Sequence, residues 1–148
     1  MKYYTALTGT FHKQNTPMSC WAAALAAVTY GNQDTIIARY AHLHYEVSGL
    51  PAAQDNAVLH GDYGLTKYDN WRDAVRVTGI VDGSNNKDVR SAMVAMIALP
   101  YHWVVSCGGE TNDANVLIKV LIYDPLDGTT TAQELAAFEA KHPTIAYK

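Results

Sequence analysis

The chain has 148 residues, 49% of them hydrophobic and 17% charged, which suits one domain (1–148) with a single core and excludes disorder. Eleven lysines and arginines against 14 acidic residues leave a net charge of −3 with no basic run, so neither nucleic acid nor a membrane surface is the expected partner. Two cysteines, Cys20 and Cys107, with no CxxC pair, exclude a disulfide-stapled scaffold and argue against a structural zinc site.

The opening residues MKYYTALTGTFHK carry no apolar core after the lysine, so no signal peptide is read, and no stretch reaches the ~20 apolar residues of a spanning helix. Synthesis in a cytoplasm is expected, with a leaderless export route left open. Asn15, Thr16, Pro17 and Ser19 make a loop, because proline disfavours helix in the residue before it. Residues 21–30 are strongly helix-forming, with Ser19 as the expected N-cap, Cys20 in the first turn and Gly31-Asn32 as the stop. A second helix is expected over 33–44, where Ile36, Ile37, Tyr40 and Leu43 form a stripe. Residues 45–66 read as irregular, and 68–77 show a weak helical pattern through Trp71, Ala74 and Val75.

A turn at 82–86 leads to an expected helix over 87–98, with Val89, Met93, Met96 and Ile97 on its apolar face and Pro100 ending it. YHWVVSC, 101–107, reads as a strand, and Gly108-Gly109 as the start of a loop. NVLIKVLIY, 115–123, is a β-branched strand closed by the turn DPLDG. A short helix over 131–141 and a last strand over 144–147 complete an α+β order, helices first and a strand pair after.

Cysteine at a helix start has a chemical meaning. Unpaired N–H groups and the positive end of the helix dipole favour an anion there, and an imidazolium neighbour lowers a thiol from ~8.5 to ~3.5–7.5. The competing reading of Cys20 is a small core residue beside Trp21. Gln14, six positions earlier, can donate to a developing oxyanion together with the Cys20 backbone N–H, or can be a solvated loop residue. His102 begins a strand, where its ring can reach a helix N-terminus or instead face the core. The next strand returns antiparallel and ends at Asp124, beside His102, where a carboxylate fixes the imidazole tautomer. Asp124 also suits the first position of a turn before Pro125. Trp21 and Trp103 read as core walls, and Cys107 as packing, on the strand face opposite His102. His42, His44 and Glu46 are not spaced for a metal site, and no cofactor or metal is expected.

The pattern Q-x5-CW before an alanine-rich helix and YG, then HWVV, then IYDP-x2-G, resembles the papain-like cysteine peptidases. The likeness is to the small bacterial group that includes peptidase domains cleaving double-glycine leader peptides and related secreted effectors. It covers residues 14–31 and 100–128. The resemblance implies a papain-like fold, with a helical half carrying the cysteine, a β half carrying the histidine and a cleft between. It also implies Cys20 as nucleophile, His102 as base and acid, Asp124 as orienter and Gln14 as oxyanion donor. Papain enzymes proper orient histidine with asparagine, and they are larger and disulfide-bonded.

The expected function is a thiol peptidase acting on a peptide or protein through an acyl-enzyme. The same machinery serves a glutamine deamidase or an acyltransferase. A non-catalytic interaction domain on this fold is the alternative of another class, and a structural α+β protein with a buried Cys20 a third. By analogy, a delivered bacterial effector or toxin with a cognate inhibitor or immunity protein would follow.

Overall fold

A computed structural model describes residues 2–5, 13–75, 94–114 and 116–148. Its centre is an antiparallel sheet of β1 (Lys2–Thr5), β2 (Lys67–Tyr68), β3 (Ala95–Leu99), β4 (His102–Thr111), β5 (Leu117–Asp124), β6 (Thr129–Glu134) and β7 (Ala146–Tyr147). The strands lie in the order β2-β7-β3-β4-β5-β6. β4 is the spine: one edge pairs with β3 along its first half and with β1 along its second, while the other edge carries β5.

Helices cover both faces. α1 (Cys20–Thr29) packs on one face, with α2 (Gln33–Arg39) and α3 (Tyr45–Ser48) behind it. α4 (Trp71–Val75) and α5 (Leu135–Glu139) cover the other. Every residue of α1 from Cys20 to Ala27 is buried, so this helix has no polar face. Its alanines let the sheet and the Tyr40, Tyr45 and Leu59 layer approach closely from opposite sides. Trp21 fills the space between them, edge-on to Tyr40 and Tyr45, and its Nε1–H donates to the Tyr45 carbonyl at 3.1 Å. On the opposite face Trp71 and Phe138 meet edge to face at 4.9 Å.

The mixed helix and antiparallel sheet agree with the expected α+β class, and several element assignments change. Residues 95–98 are strand, not helix; 76–93, with the expected turn at 82–86, Val89 and Met93, lie outside the described residues. Both faces of β3 are covered, so Met96 enters the α1 core and Ile97 the opposite one. A strand buried on both faces reads as one apolar run, with no alternation to separate it from a helix.

Gly108 and Gly109 are strand, because β5 on one edge and β1 on the other pair with them. The register shifts between Ser106 and Gly108, which makes Cys107 the extra residue of a bulge. Residues 131–134 also belong to a strand, β6, whose threonines pair with β5; only Leu135–Glu139 is helical. The second helix stops at Arg39, and a separate 3-10 turn covers Ala41–Leu43, leaving Leu43 exposed. The 45–66 segment is more ordered than expected, with α3 and a π-helical turn at Ala57–Asp62. Tyr68 lies on β2, and α4 begins only at Trp71; residues 76–77 of the expected helix lie outside the described residues. Among the described residues no helix is long and apolar enough to cross a membrane.

Candidate active site

Cys20 is the first residue of α1 and 8% exposed. Ser19 occupies the N-cap position, and its carbonyl accepts from Ala22 and Ala23. Its hydroxyl makes no capping bond; it turns back to accept from the Thr16 N–H at 2.9 Å. The serine thereby folds the approach loop tightly onto the helix start, which fixes the backbone that presents the thiol.

His102 opens β4 directly after a two-residue hairpin, since Leu99 pairs with His102 across Pro100 and Tyr101. Asp124 closes β5, and the antiparallel register with Val105 opposite Tyr123 brings the two strand ends together. The His102 Nε2–H donates to Asp124 Oδ1 at 2.6 Å. The Cys20 thiol lies close enough to the same ring to raise its pKa. With Nε2 held by the carboxylate, Nδ1 is the nitrogen left for sulfur. The three residues read from the sequence as nucleophile, base and orienter therefore meet at one point.

Burial alone would pull the His102 pKa down. Hydrogen bonds to Cys20 and Asp124, and the negative charge of both, outweigh it and raise the pKa to about 9. At neutral pH the ring is therefore an imidazolium. The Asp124 side chain is 35% exposed and that of His102 22%, so the opening to solvent lies on their side of the sulfur. Cys107 is a contrast: burial pushes its thiol up to about 11, and its Sγ–H points to the Leu121 carbonyl. It packs with Trp103 and Val105 in the α1 core.

Gln14 is buried close by, its backbone N–H donating to the Pro125 carbonyl at 2.8 Å and so tying the Cys20 approach loop to the Asp124 turn. Both hydrogens of its amide are donated, to Thr16 O at 2.8 Å and Pro17 O at 2.9 Å. Its Oε1 is buried and has no hydrogen-bond partner among the described residues. For Gln14 to serve an oxyanion, one of those hydrogens has to be redirected from its carbonyl.

Two residues escaped the sequence reading. Gln33 is buried; its Oε1 accepts from Asn15 N–H and its Nε2 donates to Lys13 O, both at 2.9 Å. It thus clamps the chain on either side of Gln14. A glutamine at the start of a helix reads as solvated, and nothing local distinguishes this one. Tyr101, next to His102, has φ +59 and is fully exposed. A non-glycine residue held there costs about 1–3 kcal/mol. Reading Pro100 as a helix stop hid the hairpin that forces this conformation.

Among the described residues no cluster of three His, Cys, Asp or Glu side chains is arranged to hold a metal, and His42 and His44 are both exposed. Comparison of the chain with protein families, curated proteins and solved structures finds no match.

Proposed function

We propose that this chain is a cysteine peptidase of papain-like design, cleaving a peptide or protein through an acyl-enzyme. The observation that carries the reading is a single ring: His102, held by Asp124 at 2.6 Å through Nε2, with the Cys20 thiol close enough to raise its pKa. A buried structural histidine has no need of both an orienting carboxylate and a thiol at a helix N-terminus. The division of the site supports the papain-like fold, with the thiol on α1 and the histidine and aspartate on the sheet.

In this mechanism the Cys20 thiolate adds to the scissile carbonyl carbon, and the negative oxygen is received by the N–H groups at the start of α1. Gln14 adds a second donor once one of its amide hydrogens leaves Thr16 or Pro17. The imidazolium gives its Nδ1 proton to the leaving amine as the C–N bond breaks, leaving a thioester. Neutral His102 then takes a proton from water, whose oxygen attacks the thioester and frees the acid. Asp124 stays ionised throughout and keeps the ring from rotating. The resemblance to bacterial effectors carries the further expectation of delivery and of an immunity partner.

The test is mass spectrometry of a protein mixture treated with wild type or Cys20→Ala. New peptide termini that need Cys20 and His102 support the peptidase. Conversion of glutamine to glutamate without cleavage would replace it with the deamidase. No Cys20-dependent product of any kind, with Cys20 unreactive toward iodoacetamide at pH 6, overturns the reading.

A further inference from the structure

The Gln14 amide is out of balance at both of its ends. Its Nε2 donates to Thr16 O at 2.8 Å and to Pro17 O at 2.9 Å. Thr16 O also accepts from the Ser19 N–H at 3.2 Å and from the Ser19 hydroxyl at 3.1 Å. A carbonyl oxygen has two lone pairs, so three donors crowd this one. At the other end Oε1 is buried and meets no donor among the described residues, which folded proteins seldom tolerate. Turning the amide end for end gives no relief, because it would set Oε1 against two carbonyl oxygens.

The backbone around this amide is pinned. The Gln14 N–H is held by Pro125 O at 2.8 Å, and Gln33 grips Lys13 O and the Asn15 N–H, both at 2.9 Å. Only the side chain is left to turn. Its two acceptors are not equal: Thr16 O keeps both Ser19 bonds when Gln14 leaves it. Pro17 O has no other donor among the described residues. The hydrogen on Thr16 O is therefore the one released, and the bond to Pro17 O is the pivot.

A substrate carbonyl is neutral and no better an acceptor than Thr16 O. The oxygen of a tetrahedral adduct is an anion, and hydrogen bonds to charged acceptors are roughly twice as strong. We propose that Gln14 is a latch, closed onto Thr16 in the resting protein and opened by the oxyanion itself. The proposal rests on the cysteine-hydrolase reading and adds how that site is controlled: its second donor is withheld from bound substrate and given to the transition state. A contact made only there raises turnover without tightening the hold on substrate.

N-acetylglycinal tests this on the full chain, both isotopically labelled for NMR. The Cys20 thiolate forms an S–C bond to the aldehyde carbon, the C=O π pair moves to the oxygen, and the imidazolium balances its charge. Scalar couplings across the two hydrogen bonds, from Gln14 Nε2 to the carbonyl carbons of Thr16 and Pro17, read the latch in wild type. Both couplings should be present in the resting protein. In the adduct the Thr16 coupling should be lost and the Pro17 coupling kept.

A Thr16 coupling that survives in the adduct makes Gln14 a fixed brace and overturns the latch, as does its absence from the resting protein. The aldehyde carbon reports separately on the thiol. If no thiohemiacetal signal forms, the cysteine-hydrolase reading falls, and the opening of the latch falls with it.

Discussion

One oxygen of Asp124 has two duties: Oδ1 accepts the Nε2–H of His102 at 2.6 Å and the backbone N–H of Leu126 at 3.0 Å. The bond that orients the imidazole is therefore built into the turn that ends β5. Asp124→Asn keeps an oxygen for the turn and removes the charge. Turnover should fall by about 10² or more, while thermal stability stays within about 1 kcal/mol of wild type. Asp124→Ala should lose both activity and the turn, and a drop in stability no greater than that of Asp124→Asn would contradict this double use.

The raised His102 pKa fixes the sign of the pH response. The ring is charged below about 9 and neutral above it, because Cys20 and Asp124 favour the charged form despite burial. Its carbon-bound protons should titrate by NMR with a midpoint near 9 in wild type. Asp124→Asn or Cys20→Ala should each move the midpoint downward, toward the ordinary ~6.5. A wild-type midpoint at or below that ordinary value would show that the ring has neither partner in solution.

Alkylation of Cys20 by iodoacetamide should remain rapid at pH 6 in wild type. His102→Ala removes the imidazolium beside the sulfur and should slow the reaction by about 10². Cys107, buried with its pKa raised to about 11, should stay unlabelled in the folded protein. Peptide mapping distinguishes the two thiols, and equal labelling of both would count against a selectively activated Cys20.

Gln33 supports the loop before Cys20 at two points. Gln33→Leu leaves Lys13 O and Asn15 N–H without their buried partner, which should cost about 1–3 kcal/mol in urea denaturation. The same variant should lower kcat more than it raises KM, since the loop carries Gln14 and ends at the nucleophile. Equal stability and equal kcat would mean the clamp is dispensable.

Trp21 joins the site to the core. It is fully buried, and its indole N–H satisfies the Tyr45 carbonyl. Trp21→Ala should destabilise the fold by about 3–5 kcal/mol, enough to unfold much of a marginally stable domain. Trp21→Phe should cost less, by keeping volume while leaving that carbonyl unpaired. Calorimetry of the two variants gives the order directly.

Sequence alone determined, to within a residue, a helix starting at Cys20, a strand starting at His102 and one ending at Asp124, together with the α+β class, because these follow from local signals. A loop before an alanine run, a β-branched segment and an Asp-Pro turn each act within a few residues. The pairing of His102 with Asp124 was foreseen from the same signals, since an antiparallel return can bring the end of one strand beside the start of the other.

Tertiary structure decided the rest. Met96 and Ile97 became strand because neighbours on both edges supplied hydrogen bonds and helices covered both faces, a context that no local pattern carries. Gly108-Gly109 stayed in β4 because β1 and β5 paired with it from either side. The Gln33 clamp, the spent amide hydrogens of Gln14 and the strained exposure of Tyr101 depend on which backbone groups meet in space. A chain fixes its short-range geometry by its own torsions; which distant groups satisfy or expose one another is settled only when the whole core closes.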